Sequence, residues 1–198
     1  MKAVMLAVSA ASVVLVTVVP PIGTVDDPFP DAAIPAPVVH GSDERSSEQI
    51  ADAEAAFRGA GLELPELEIH VHENYAGCDG FAGQFNRDGA GLRVDFCSGH
   101  SFTVLHEFAH VWEYHNVDDT TRDAFVELHG LETWRSRDVP WEARGVEVAA
   151  ETIAKGLLDR AFPEWQCDEV ELLDQGFRLL TGRSSPRFVA GTLSCGAY

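Results

Sequence analysis

Ser101-Phe102-Thr103-Val104-Leu105-His106-Glu107-Phe108-Ala109-His110-Val111-Trp112-Glu113-Tyr114-His115 is the stretch from which the rest of the chain is best read. Nothing in it breaks a helix, and Ser101 or Thr103 can start one. His106 and His110 are four residues apart, so on a helix both rings stand on one face about one turn apart. Two imidazoles in that relation can offer nitrogens to a single Zn²⁺, while Glu107 reaches toward a water rather than toward the metal. Phe102, Leu105, Ala109 and Trp112 supply apolar packing and predict a half-buried helix. The bare H-E-x-x-H pattern is moderately specific. A reactive zinc needs three protein ligands and an open fourth position, so a third ligand must follow downstream.

The candidate lies in Trp141–Thr152, which reads as helix. Pro140 stands at its first turn, and the helical pattern continues to about Arg160. Glu147 and Glu151 are four apart and share a face. At this point the chain resembles the gluzincins, zinc metallopeptidases in which a glutamate on a later helix completes the site. Their downstream pattern is E-x-x-x-D, with Glu151 here in the aspartate position. The resemblance implies His106, His110 and Glu147 as zinc ligands. It implies Glu107 as general base and Glu151 as the carboxylate that orients His106. If the helix is rotated, Glu151 becomes the ligand and Glu147 the bystander. The metzincin pattern does not fit, because Glu113 stands where its glycine belongs and Asn116 where its third histidine belongs. The resemblance also implies that the strand before the active-site helix, Leu92–Phe96, borders the cleft and pairs with substrate backbone. A Tyr, His or Arg that holds the oxyanion is common in such sites, and Tyr114, His129 and Arg144 are the candidates.

Upstream, Ser46 or Ser47 can cap a helix through Arg58 with Ile50, Ala53 and Phe57 as its apolar stripe. Leu67, Ile69 and Val71 alternate with polar residues as in a half-buried strand. Asn86-Arg87-Asp88-Gly89 reads as the turn between strands Phe81–Phe85 and Leu92–Cys97. After the H-E-x-x-H helix, further helices are predicted from Asp119 or Thr120 to about Arg135 and from Asp168 to near Gly182. The order gives an α+β fold, with a small antiparallel or mixed sheet followed by the H-E-x-x-H helix and a mostly helical C-terminal half; the resemblance implies that this fold is zincin-like, with that helix carrying the active site. Cys78, Cys97, Cys167 and Cys195 allow three disulfide connectivities; proximity in the chain favours 78–97 with 167–195. No C-x-x-C spacing supports a second, structural zinc. His70 and His72 read as exposed strand histidines, and His40, His100 and His129 have no identifiable partner.

Residues 1–22, with Lys2 before an apolar run from Ala3 to Val19, read as a signal peptide or an N-terminal anchor. Residues 23–45 read as a Pro-rich linker or short pro-segment, and 46–198 as the metallopeptidase-like domain. Six of the ten prolines fall between Pro20 and Pro37, where each removes a backbone donor. The 198 residues carry 14 basic against 32 acidic side chains, a net charge of −18, and 45% hydrophobic residues. That is enough apolar content for a core, and the charge excludes a nucleic-acid partner, which needs clustered Lys and Arg. Lys2 and Lys155 are the only lysines, so there is no polybasic membrane patch; membrane contact would require the N-terminal segment as an uncleaved anchor. The expected function is zinc-dependent peptide-bond hydrolysis by a secreted or extracytoplasmic protein acting on a peptide or protein. Two alternatives share the same residues: a non-catalytic or weakly catalytic binding module at the cell surface, and a hydrolase of non-peptide amides. Oligomeric state is not legible.

Overall fold

A computed structural model describes residues 37–88, 91–97, 100–158 and 167–189. The expected signal segment and the Cys167–Cys195 bridge lie outside the described residues or rest on side chains outside them. The elements form a mixed α+β fold with one four-stranded sheet and a mostly helical C-terminal half. Strand β1 (Val38–His40) runs parallel to β2 (Glu68–Val71), β2 runs parallel to β4 (Gly91–Phe96), and β3 (Gly83–Asp88) pairs antiparallel with β4. The spatial order is β1-β2-β4-β3.

Strand β1 falls inside the stretch read as linker. Three exposed residues carry no pattern of their own, and their strand state comes from pairing Val38, Val39 and His40 with Glu68, Ile69 and His70. Helix α1 (Glu44–Gly59) also starts earlier than expected. Asp43 rather than a serine caps it, its carboxylate accepting the Ser46 N–H at 2.7 Å. Its stripe of Ile50, Ala53 and Phe57 is buried as the spacing predicts. The hairpin reverses later than expected, since Asn86 and Arg87 remain in β3 opposite Arg93 and Leu92 and the last pair is Asp88 with Gly91. The Asn86 amide adds a cross-strand bond to Asp95 at 2.8 Å, which favours the longer ladder.

Strand β4 is buried on both faces. Val94 and Phe96 face the core, while Asp95, also buried, accepts from Asn86 and Arg93 and lies 2.7 Å from His72. Burial raises the Asp95 pKa, but these partners outweigh it and hold it below the usual carboxylate range. The Cys78–Cys97 disulfide joins a short 3-10 turn (Tyr75–Cys78) to the residue after β4.

Helix α2 (Ser101–Asn116) follows directly and is buried from Val104 to Glu113. Phe108 is completely buried and meets Phe57 of α1 and Phe96 of β4 at ring-centroid distances of 6.2 and 6.0 Å. Helix α3 (Asp119–Leu128) is shorter than its pattern suggested, because Gly130 takes positive φ, 64°, and turns the chain out. The expected helix from Trp141 is split. A 3-10 turn (Trp141–Ala143) ends at Arg144, whose backbone is extended, and α4 (Gly145–Leu157) begins after it. The break is imposed from outside: Gly145 and Val146 donate their N–H groups to the Thr133 and Trp134 carbonyls, both at 2.9 Å. Two otherwise unpaired donors of the α4 terminus are thereby satisfied. Helices α5 (Cys167–Thr181) and α6 (Pro186–Val189) complete the described chain, with α5 packed on α3 and α4. Among the described residues no helix is long and apolar enough to cross a membrane.

Candidate metal centre

Helix α2 presents His106 and His110 on one face, and α4 presents Glu147 in its first turn, where the helix dipole favours a carboxylate. Both imidazoles converge on one oxygen. Glu147 Oε2 lies 3.0 Å from His110 Nε2 and 3.4 Å from His106 Nε2. The three donor atoms all lie within 4.8 Å of one another, so the trio can hold a metal ion. Both histidines are buried and Glu147 is partly so.

The electrostatics of the metal-free trio fit a cation site. Burial would raise the Glu147 pKa, yet hydrogen bonding and charge from His106 and His110 hold it at about 2. Burial would lower that of His110, but Glu113 and Glu147, with the charge of Glu107, push it up to about 10. Glu107, beside them on α2, is also buried. Desolvation raises its pKa, partly opposed by the two histidines and the Phe85 N–H.

A cleft of about 910 Å³ opens over these groups. One wall is β3, and the other is the segment from Arg135 to Glu147. Gly83 meets Glu107 so closely that a Cβ there would lie 2.7 Å from Glu107 Cγ and 2.8 Å from Oε1. The strand beside the cleft is therefore β3, not Leu92–Phe96. Strand β4 has β2 on one side and β3 on the other, so it has no free edge to offer, whereas β3 is the outer strand.

Glu151 does not orient His106. Four residues advance the chain by a full turn, about 5.4 Å along the axis, and the Glu151 carboxylate pairs with Lys155 at 2.5 Å instead. His106 Nδ1 is buried with no hydrogen-bond partner among the described residues. The buried carboxylate near the histidines is Glu113, fully buried, with Oε1 3.9 Å from His110 Nδ1 and accepting from Arg135 at 3.1 Å. An acidic residue three positions after His110, on the same helix face in an otherwise apolar run, was the available signal for it.

Of the three oxyanion candidates, Arg144 lines the cleft. The Tyr114 ring packs on Phe85, 5.8 Å between centroids. His129 caps α3 against Phe125, 4.2 Å between rings, where burial lowers its pKa. A second trio, His40, Glu68 and His70, sits on the exposed part of the sheet around the β1–β2 pair. There the parallel register brings a histidine from the supposed linker to 4.7 Å, ring to ring, from one in β2. No protein-family model, curated protein or solved structure matches the chain.

Proposed function

We propose that this chain is a secreted zinc peptidase with a zincin-like, gluzincin-type site. The observation that carries the reading is the convergence of His106, His110 and Glu147 on one point, with Glu107 buried beside them at the floor of an open cleft. Two imidazoles and a carboxylate within a few ångströms suit zinc in number and chemistry, and leave room for a further ligand. When bound, zinc supplies Lewis acidity that polarises a carbonyl and eases deprotonation of water.

The rest belongs to the chain's own residues. Glu107 takes a proton from the attacking water and returns it to the leaving nitrogen. A carboxyl whose pKa is raised by burial suits both steps near neutral pH. Strand β3, with its free edge along the cleft, can align an extended peptide by backbone pairing. Closing of a buried disulfide fits an oxidising, extracytoplasmic compartment.

The test joins metal content to turnover. The protein as isolated is expected to hold zinc and cut an unstructured protein, with cutting stopped by a chelator. Glu107→Gln is expected to keep the zinc and lose turnover by a factor on the order of 10²–10⁴. Since His40, Glu68 and His70 can hold a second ion, stoichiometry is compared with a His106→Ala, His110→Ala double variant. Zinc without cleavage of any substrate would favour a binding module.

A further inference from the structure

The net charge of −18 is not what a substrate meets in the cleft. Four arginines line it, Arg87, Arg135, Arg137 and Arg144, against three carboxylates, Glu107, Glu113 and Glu147. The carboxylates have work elsewhere: Glu147 lies against the two histidines, Glu107 is buried beside them, and Glu113 pairs with Arg135. The other three arginines have no carboxylate partner among the described residues. Arg144 donates to the Val139 carbonyl at 3.3 and 3.4 Å, and Arg87 lies over the Tyr114 ring at 4.9 Å. Elsewhere Arg93, Arg122 and Arg178 each hold an aspartate. Arg45, Arg58 and Arg183 likewise show no ion pair among the described residues, so what sets the cleft apart is that three such arginines line one opening.

Two of them are gathered at one end. Arg87 and Arg135 share the Tyr114 ring, at 4.9 and 5.8 Å, with Glu113 the one carboxylate between them. Tyr114 is one helical turn beyond His110, so this cationic end lies near the metal trio. Arg137 and Arg144 stand on the opposite wall from Arg87. Phe81 and Trp141, 59% and 47% exposed, add aromatic surface to the same cleft.

We infer that the cleft selects extended peptides carrying Asp or Glu side chains beside apolar ones, with Arg87 and Arg137 as the principal carboxylate receivers. The planar guanidinium fork matches a carboxylate in two hydrogen bonds. Arginines without acidic partners in the cleft of an acidic protein also raise the local concentration of an acidic ligand. The inference rests on the peptide-cleft reading above.

Binding of fluorescent peptides to zinc-loaded Glu107→Gln tests the selection without turnover. Peptides are acetylated and amidated at their ends, so only the side chains differ: Glu and Asp, their Gln and Asn counterparts, or Lys. The acidic peptide is expected to bind on the order of tenfold tighter than its amide counterpart, and the Lys peptide more weakly still. In an added Arg87→Gln, Arg137→Gln pair, acidic-peptide affinity is expected to drop to the amide level while zinc content is retained. Equal binding of acidic and amide peptides, binding of none, or an acid preference that survives the pair would overturn the inference. So would a preference that appears only when a free C-terminal carboxylate is restored. Cleavage by the unaltered protein reads the hydrolase proposal separately. Cleavage without acid preference overturns the selection alone, and acid-selective binding without cleavage of any peptide overturns the hydrolase alone.

Discussion

Glu113 is a fully buried carboxylate with one oxygen on Arg135 and the other without a partner among the described residues. Its Oε1 lies 3.9 Å from His110 Nδ1, near enough for its charge to bear on that ring. Glu113→Gln is expected to weaken zinc affinity by about 10–100-fold with the fold retained, measured by competition with a chromogenic chelator. The same cluster sets a pH dependence. His110, raised to about 10 from 6.5, stabilises the metal-free fold fully below pH 6.5 and loses that contribution as pH rises through 10. Glu147, lowered from 4.5 to about 2, contributes fully above pH 4.5 and loses its share as pH falls through 2. Chelator-treated protein is therefore expected to melt highest between pH 4.5 and 6.5. Zinc must expel the His110 proton, so zinc affinity is expected to climb with pH instead. Melting scans with and without chelator separate the two, and a chelated protein that gains stability steadily from neutral to alkaline pH would contradict the assignment. His106 and His110 were legible from their spacing of four on one helix, and Glu147 came from the gluzincin resemblance with Glu151 as its alternative, the trio then meeting in the fold. The role of Glu113 was not, because it depends on where Arg135 arrives from a different part of the chain.

At the scale of elements, the site depends on how closely β3 and α4 approach α2. Gly83 of β3 leaves no space for a Cβ beside Glu107. Gly83→Ala is expected to displace that carboxylate and lower turnover on the order of 10²-fold, with zinc content unchanged. An alanine variant of full activity would show that the strand yields instead. Gly145 does similar work at α4, where a Cβ would meet Trp134 at 2.8 Å and Val126 at 3.1 Å. Helices α1, α2 and α5 were legible because each has an apolar stripe of helical period and a recognisable end. The start of α4 was not: Arg144 is extended because Thr133 and Trp134 accept the next two N–H groups, a long-range fact. Strand β1 escaped for the same reason, its pairing with β2 being its whole basis. The Leu92–Phe96 strand and its hairpin partner were found, but the parallel pairing of β4 with β2 on its other side was not, and that pairing leaves β3 as the outer strand.

At the scale of the molecule, four strands and the early helices set a frame on which α2 and α4 meet. The α+β class was legible from element order alone, and the mixed character of the sheet awaited the parallel pairing of β2 with β4. The Cys78–Cys97 bridge closes a segment of 19 residues, which is worth about 3 kcal/mol through the unfolded chain. Cys78→Ser with Cys97→Ser is expected to lower the unfolding free energy by about that amount and shift the midpoint down accordingly, read by urea titration against the unaltered protein. An unchanged midpoint would mean that the hairpin holds itself. The bridge also has a topological consequence. Both strands of the hairpin, including the cleft wall from Gly83 to Arg87, lie inside the covalent ring that it closes. A single backbone scission anywhere between Cys78 and Cys97 therefore opens the ring without releasing either piece. Each arm stays tethered at one end and can re-zip against its neighbour, a tolerance of single cuts that the hairpin alone would lack.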